Sequence, residues 1–151
     1  MKKYLFTLLL LTLFCGQALA TDGLESFLSN LNVQARVDQN GFAARVGAQF
    51  NIPLPRVHAV LEVVQSPADA FMVFQLGQMT GKPPERVLST YQANKGKGWG
   101  VIAKSLGIKP GSKEFHALKR GDFRLEGEPG GGKEKGNGKG KGHGKGRGNQ
   151  Y

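Results

Sequence analysis

The chain has 151 residues, enough for one domain, and carries a formal net charge of +10 from 21 basic and 11 acidic residues. Its single cysteine, Cys15, lies within an apolar N-terminal run, so a chain cleaved after that run has no disulfide, thiol nucleophile or cysteine metal ligand. A folded part of about 100 residues buries roughly 60–65% of its unfolded surface, which makes a core without cross-links feasible.

The first twenty residues have the pattern of a secretory signal peptide. Lys2 and Lys3 precede an apolar run over residues 5–14, and small residues, Ala18 and Ala20, occupy the two positions that signal peptidase reads. We therefore expect cleavage after Ala20 and export to the periplasm or the medium. The apolar run is shorter than the about 20 residues that a spanning helix needs, so we expect no transmembrane span in the mature chain.

Lipidation at Cys15 is the alternative way of processing this N-terminus. A lipoprotein signal has a small residue directly before the cysteine and Leu, Val or Ile three positions before it. Phe14 and Thr12 occupy those two positions. The pattern therefore favours cleavage after Ala20.

Residues 21–124 have the apolar spacing of an all-α domain, a small bundle of five to seven short helices. Leu24 to Leu31 predicts a short amphipathic first helix, which residues 38–41 are expected to end. Ser66 and Pro67 are expected to open a central helix that is apolar on most sides. The helices expected after the first span residues 42–50, 56–64, 68–79, 84–93, 99–106 and 112–119.

An internal repeat with an offset of 30 residues links two of these segments. It predicts helical hairpins at about residues 42–64 and 68–93, each a helix, a proline turn and a second helix, with a weaker copy at 99–119. Such hairpins bury their apolar stripes by packing on one another. A general helix-turn pattern without a repeat is the alternative. The matched pairs are Phe42 with Met72, Val46 with Leu76, Gly47 with Gly77, Pro53 with Pro83, and Arg56-Val57 with Arg86-Val87.

Residues 125–151 form a basic, glycine-rich tail that we expect to be disordered, because it has too few apolar side chains to offset its ordering entropy. Cationic chains of this kind bind polyanions by releasing condensed counterions, and candidate partners are anionic polysaccharide, lipid headgroups and extracellular nucleic acid. The alternative is a solubilising extension without a partner. The candidate anion-binding residues of the tail are Lys133, Lys135, Lys139, Lys141, Lys145 and Arg147, and residues 129–151 hold one acid, Glu134.

The loop at residues 94–100 alternates three glycines with Lys95, Lys97 and Trp99, the only tryptophan. One interpretation is a pliable cationic loop with an aromatic platform for phosphate, sugar or a nucleobase, and these three residues are further candidates for anion binding. The other interpretation is that Trp99 is a packing anchor around which the glycines let the chain bend.

No pattern in the chain predicts catalytic residues, a metal site or a cofactor. Residues 101–108 match the first half of a helix-turn-helix, but Lys113 stands where its second half needs a buried aliphatic residue, so we expect no sequence-specific DNA binding. A small enzyme remains a remote alternative, for which Trp99, Glu114 and His116 would have to converge on a pocket.

Two segments carry a resemblance to a group of small exported bacterial proteins. They are Gly98-Trp99-Gly100-Val101-Ile102-Ala103-Lys104 and Leu106-Gly107-Ile108-Lys109-Pro110-Gly111-Ser112. The resemblance covers about residues 42–122 and implies a bacterial, exported, helical domain; it assigns no catalytic residue. From the charge of the tail, we expect an exported, non-enzymatic protein that binds anionic polymers or surfaces through its tail. The alternative is an interaction or assembly module of the cell envelope, with the tail as a spacer.

Overall fold

The computed structural model describes residues 23–127, and this part of the chain is all-α, as expected. It contains seven helices and no strand. Their bounds are α1 Gly23–Val37, α2 Gln39–Phe50, α3 Leu54–Val63, α4 Pro67–Thr80, α5 Pro84–Ala93, α6 Trp99–Ser105 and α7 Lys113–Arg120. From α2 onward, each bound lies within three residues of its prediction. The predicted signal peptide lies outside the described residues, and so does the tail beyond Gly127.

Helix α4 forms the centre of the domain. It packs against α1, α2, α3 and α5. Phe71, Met72 and Val73 are completely buried at three successive positions, so the helix is covered on all sides, as its apolar sequence predicts. Within residues 23–127 no single helix is long and apolar enough to cross a membrane; α3 and α4 reach that length and composition only as a pair bent by 118°.

The 30-residue offset of the sequence reappears in the backbone of the two proline turns. The amide of Ile52 donates to the Gly47 carbonyl at 2.9 Å, and the amide of Lys82 donates to the Gly77 carbonyl at 3.1 Å. A Cβ atom on Gly47 would lie 2.9 Å from the Ile52 carbonyl oxygen, and one on Gly77 would lie 3.0 Å from that of Lys82. Glycine is therefore required where each turn folds back over its helix.

Helix α1 is longer than the sequence predicts, because it continues from Leu31 to Val37. The side chains of Val33 and Val37 are 56% and 84% exposed, and Ala35 is the only buried residue of the added turns, so the apolar pattern there is weak. The break expected at residues 38–41 is confirmed, since α1 ends at Val37, and the same segment starts the next helix directly. The carboxylate of Asp38 accepts a hydrogen bond from the amide of Gly41 at 2.8 Å and caps α2.

The start of α4 confirms Ser66 at the N-cap position and Pro67 at the first helical position. The Ser66 hydroxyl donates to Asp69 Oδ2 at 3.0 Å, and does not accept from a backbone amide of the first turn. Asn32 of α1 supplies the cap, since its Oδ1 accepts from the amide of Ala68 at 2.9 Å. The start of α4 is thereby fixed to α1 by a residue 36 positions away.

The packed domain extends beyond the boundary predicted at Arg124. Leu125 is completely buried, and the side chain of Gln49 brackets it. Gln49 Nε2 donates to the Arg124 carbonyl at 3.0 Å, and its Oε1 accepts from the amide of Glu126 at 2.9 Å. A lone leucine in a polar segment has no periodicity, which is why the sequence pattern placed it in the tail.

Candidate functional site

The excess of positive over negative charge in the domain lies on its last helical hairpin. Residues 23–94 hold five basic and five acidic residues, whereas residues 95–120 hold seven basic residues and a single acid, Glu114. We call residues 95–120 the cationic hairpin. The net charge of the whole domain conceals this segregation. Counting basic and acidic residues separately for each helix pair would have revealed it from the sequence. The basic residues, all exposed, are Lys95, Lys97, Lys104, Lys109, Lys113, Lys119 and Arg120.

Three of these lysines border one depression of about 300 Å³ between the start of α1, the start of α6 and α7. Lys97, Lys104 and Lys119 line it together with the carboxylate of Glu25. We call it the lysine depression. Its apolar lining comes from Leu24, Trp99, Val101, Phe115 and Leu118.

Trp99 borders this depression, but its ring is mostly covered. The side chain is 7% exposed and stacks on Tyr91, with ring centroids 5.3 Å apart and an angle of 23° between the planes. Its Nε1 donates to Asp69 Oδ1 at 3.2 Å. The indole thus serves as a packing anchor, the second interpretation of the loop, and offers no open platform. Lys95 and Lys97 project from the exposed loop beside it.

Asp69 connects three side chains, two of which are distant from it in sequence. Its Oδ1 accepts from Trp99, while its Oδ2 accepts from the hydroxyls of Tyr91 at 3.2 Å and Ser66 at 3.0 Å. The Tyr91 oxygen in turn accepts from the amide of Gln65 at 3.1 Å. The network fixes α5 and α6 to the start of α4 and holds the cationic hairpin against the neutral body of the domain.

Burial raises the pKa of the Tyr91 hydroxyl above its ordinary value of 10.0, and the charge of Asp69 and the hydrogen bond to it raise it further. The folded state therefore favours the protonated phenol. This contribution is complete below about pH 10, the pKa of an unfolded tyrosine, and is lost as the pH rises through the higher folded value.

We therefore expect the free energy of unfolding to fall more steeply above pH 10 in the wild type than in Tyr91→Phe. Denaturant titrations at pH 8 to 11.5 measure the difference between the two chains. Because both carry the same lysines, the comparison isolates Tyr91. Parallel curves for the two chains would contradict the assignment.

The three residues that the enzyme alternative needs in one pocket do not line a common depression. Trp99 lines the lysine depression and a second one of about 400 Å³ beside Asp69. Glu114 lines a different depression at the end of α4, and His116 is exposed on α7. Among the residues that the structure describes, no group of three or more His, Cys, Asp or Glu side chains could hold a metal ion.

The candidate residues thus fall into two sets. Lys95, Lys97 and Trp99 are placed by the structure at the start of the cationic hairpin, whereas those of the tail, from Lys133 to Arg147, lie outside the described residues. The chain matches no protein-family model, no curated protein and no solved structure.

Proposed function

We propose that this protein is exported and binds anionic polymers, using the cationic hairpin together with the basic tail. The observation that carries the proposal is the segregation of charge: seven exposed basic residues and one acid on residues 95–120, beside an electroneutral body at residues 23–94. In the chain, residues 121–132 separate the hairpin from the six basic residues of the tail. The two segments together offer a large excess of positive charge to one long polyanion.

The binding energy in this proposal comes from counterion release. Each lysine that neutralises a phosphate frees a condensed cation from the polymer, so the affinity falls as salt is added. If five charges engage a phosphate polymer, log K falls against log salt with a slope of roughly −3.5 to −4.5. Because Tyr91 covers the ring of Trp99, this surface has no aromatic face for base stacking. Charge is therefore the principal source of affinity here.

The test measures the affinity of the mature chain, residues 21–151, for long-chain polyphosphate by calorimetry at several salt concentrations. A tail variant replaces the six basic tail residues by Gln. A hairpin variant replaces Lys95, Lys97, Lys104, Lys109 and Lys113 by Gln. We expect both variants to bind more weakly and with a shallower salt slope than the wild type, because each releases fewer counterions.

A matched control changes basic residues that lie outside both segments. Arg36→Gln combined with Arg86→Gln removes two exposed charges from the neutral body and should leave the salt slope nearly unchanged. Binding that is insensitive to salt, or equal in the wild type and both charge variants, would refute the proposed function.

A further inference from the structure

We propose that the lysine depression binds one anionic sugar unit, a hexose that carries a phosphate or a carboxylate. This inference rests on the proposed function, since it states which kind of anionic polymer the domain recognises and where. Polymer binding by diffuse charge needs no concave site, so the two ideas can fail separately.

The size of the depression suits a monomer. Its volume of about 300 Å³ lies at the lower end of the range of roughly 300–1,000 Å³ that is usual for ligand sites. Three segments that are distant in the chain meet there: Glu25 comes from α1, Lys97 and Lys104 come from the loop and α6, and Lys119 comes from α7. The packing of α1 and α6 against α7 fixes the spacing of the backbone positions that carry these side chains.

The lining offers each contact that an anionic sugar uses. Ammonium groups from Lys97 and Lys104 can form charge-assisted hydrogen bonds with a phosphate or carboxylate. The carboxylate of Glu25 is a strong acceptor for sugar hydroxyls. Half-buried Phe115 and Val101 supply apolar surface for the C–H face of the ring. Bare phosphate would use only the first of these contacts.

Two other ligand classes fit less well. A nucleobase needs an open aromatic face, and Tyr91 covers the face of Trp99. A membrane surface needs apolar side chains that insert beside the lysines. The strongly exposed large aliphatic residues of the described chain lie on α1 and α3, and none lines the depression: Val33, Val37, Leu54 and Val63.

The experiment uses Trp99 as its reporter, because it is the only tryptophan and borders the depression. The mature chain is titrated with glucose 6-phosphate and with glucuronate, and separately with glucose and with inorganic phosphate. We expect saturable changes in emission with both anionic sugars, at lower concentration than with inorganic phosphate, and no saturation with glucose.

Paired variants locate the site. Lys97→Ala with Lys104→Ala should weaken binding of glucose 6-phosphate by about tenfold or more, since two charge-assisted bonds are lost. Lys109→Ala with Lys113→Ala removes the same charge from the same hairpin outside the depression, and should change the affinity less than about twofold. Glu25→Ala should reduce the preference for glucose 6-phosphate over inorganic phosphate, because it removes the hydroxyl acceptor and one repulsive charge.

Three results overturn the sugar site. They are equal weakening by the two lysine pairs, equal affinity for inorganic phosphate and glucose 6-phosphate, and no response of Trp99 to either anionic sugar. If the mature chain still binds polyphosphate with a steep salt slope in any of these cases, the proposed function stands and only the proposal of a sugar site is refuted. Loss of that polyphosphate binding is the separate failure of the proposed function.

Discussion

Asp69→Ala is expected to lower the free energy of unfolding by about 3 kcal/mol, from two lost charge-assisted hydrogen bonds of about 1.5 kcal/mol each. The substitution removes the acceptor of Trp99 Nε1 and of the Tyr91 hydroxyl. Both donors belong to side chains that are at most 7% exposed, so water replaces the lost partner poorly. Chemical denaturation of the mature chain, followed by circular dichroism, measures the loss.

Asp122→Ala is the matched control for this substitution. Asp122 also accepts a hydrogen bond, from Arg120 Nε at 2.7 Å, but both side chains are about half exposed or more. Exposed pairs of this kind contribute about 1 kcal/mol at most. If Asp69→Ala costs no more than Asp122→Ala, Asp69 does not organise the junction between α4, α5 and α6.

Gly121→Ala is expected to cost about 3 kcal/mol, the sum of a left-handed backbone and a blocked approach between two helix ends. Gly121 ends α7 with φ of 65°. A Cβ atom there would lie 2.5 Å from the carbonyl oxygen of Gly23, at the start of α1. Because the obstacle is backbone, α7 would have to move away from α1. Thermal and denaturant unfolding of the variant measure the cost.

Gly81→Ala separates the two contributions. Gly81 ends α4 with the same φ of 65°, but a Cβ atom there would meet no atom within 4 Å. We expect this variant to lose only the backbone contribution, about 1 kcal/mol. Equal losses at Gly81 and Gly121 would show that α7 does not need its close contact with α1.

The elements that the sequence predicted well are those with strong local chemistry. Helix α5 begins and ends at its predicted residues, Pro84 and Ala93, because proline opens it and the apolar spacing is regular. The two turns that Gly47 and Gly77 begin were visible as a repeat since glycine and proline recur at fixed distances. Local rules of this kind act within a few residues, where pattern analysis is most informative.

The elements that the sequence missed depend on contacts between distant segments. The Asp69 network joins residues up to 30 positions apart, and nothing in the local sequence of Asp69 marks it as the shared acceptor. Leu125 is buried, and Gln49 of α2 holds the backbone on both sides of it, which no periodicity around it reveals. For Trp99 both interpretations were consistent with the loop composition, and the stacking on Tyr91 decides between them.

The candidate site was only partly predictable. Lys95 and Lys97 stood out because glycines flank them, whereas Lys104 and Lys119 look like ordinary solvated positions on separate helices. They join the site only because α6 and α7 pack together beside the start of α1. The grouping of these charges is therefore a consequence of tertiary structure.

The most direct test of the proposed function maps where a polyanion contacts the domain. Amide chemical shifts of the isotope-labelled mature chain are followed by NMR as polyphosphate is added at low salt. We predict that, among residues 23–127, the chemical-shift changes centre on residues 95–120, because the excess charge of the domain lies there. These changes should vanish at high salt. Changes centred on α1 to α3, or an unchanged spectrum throughout the cationic hairpin, would contradict it.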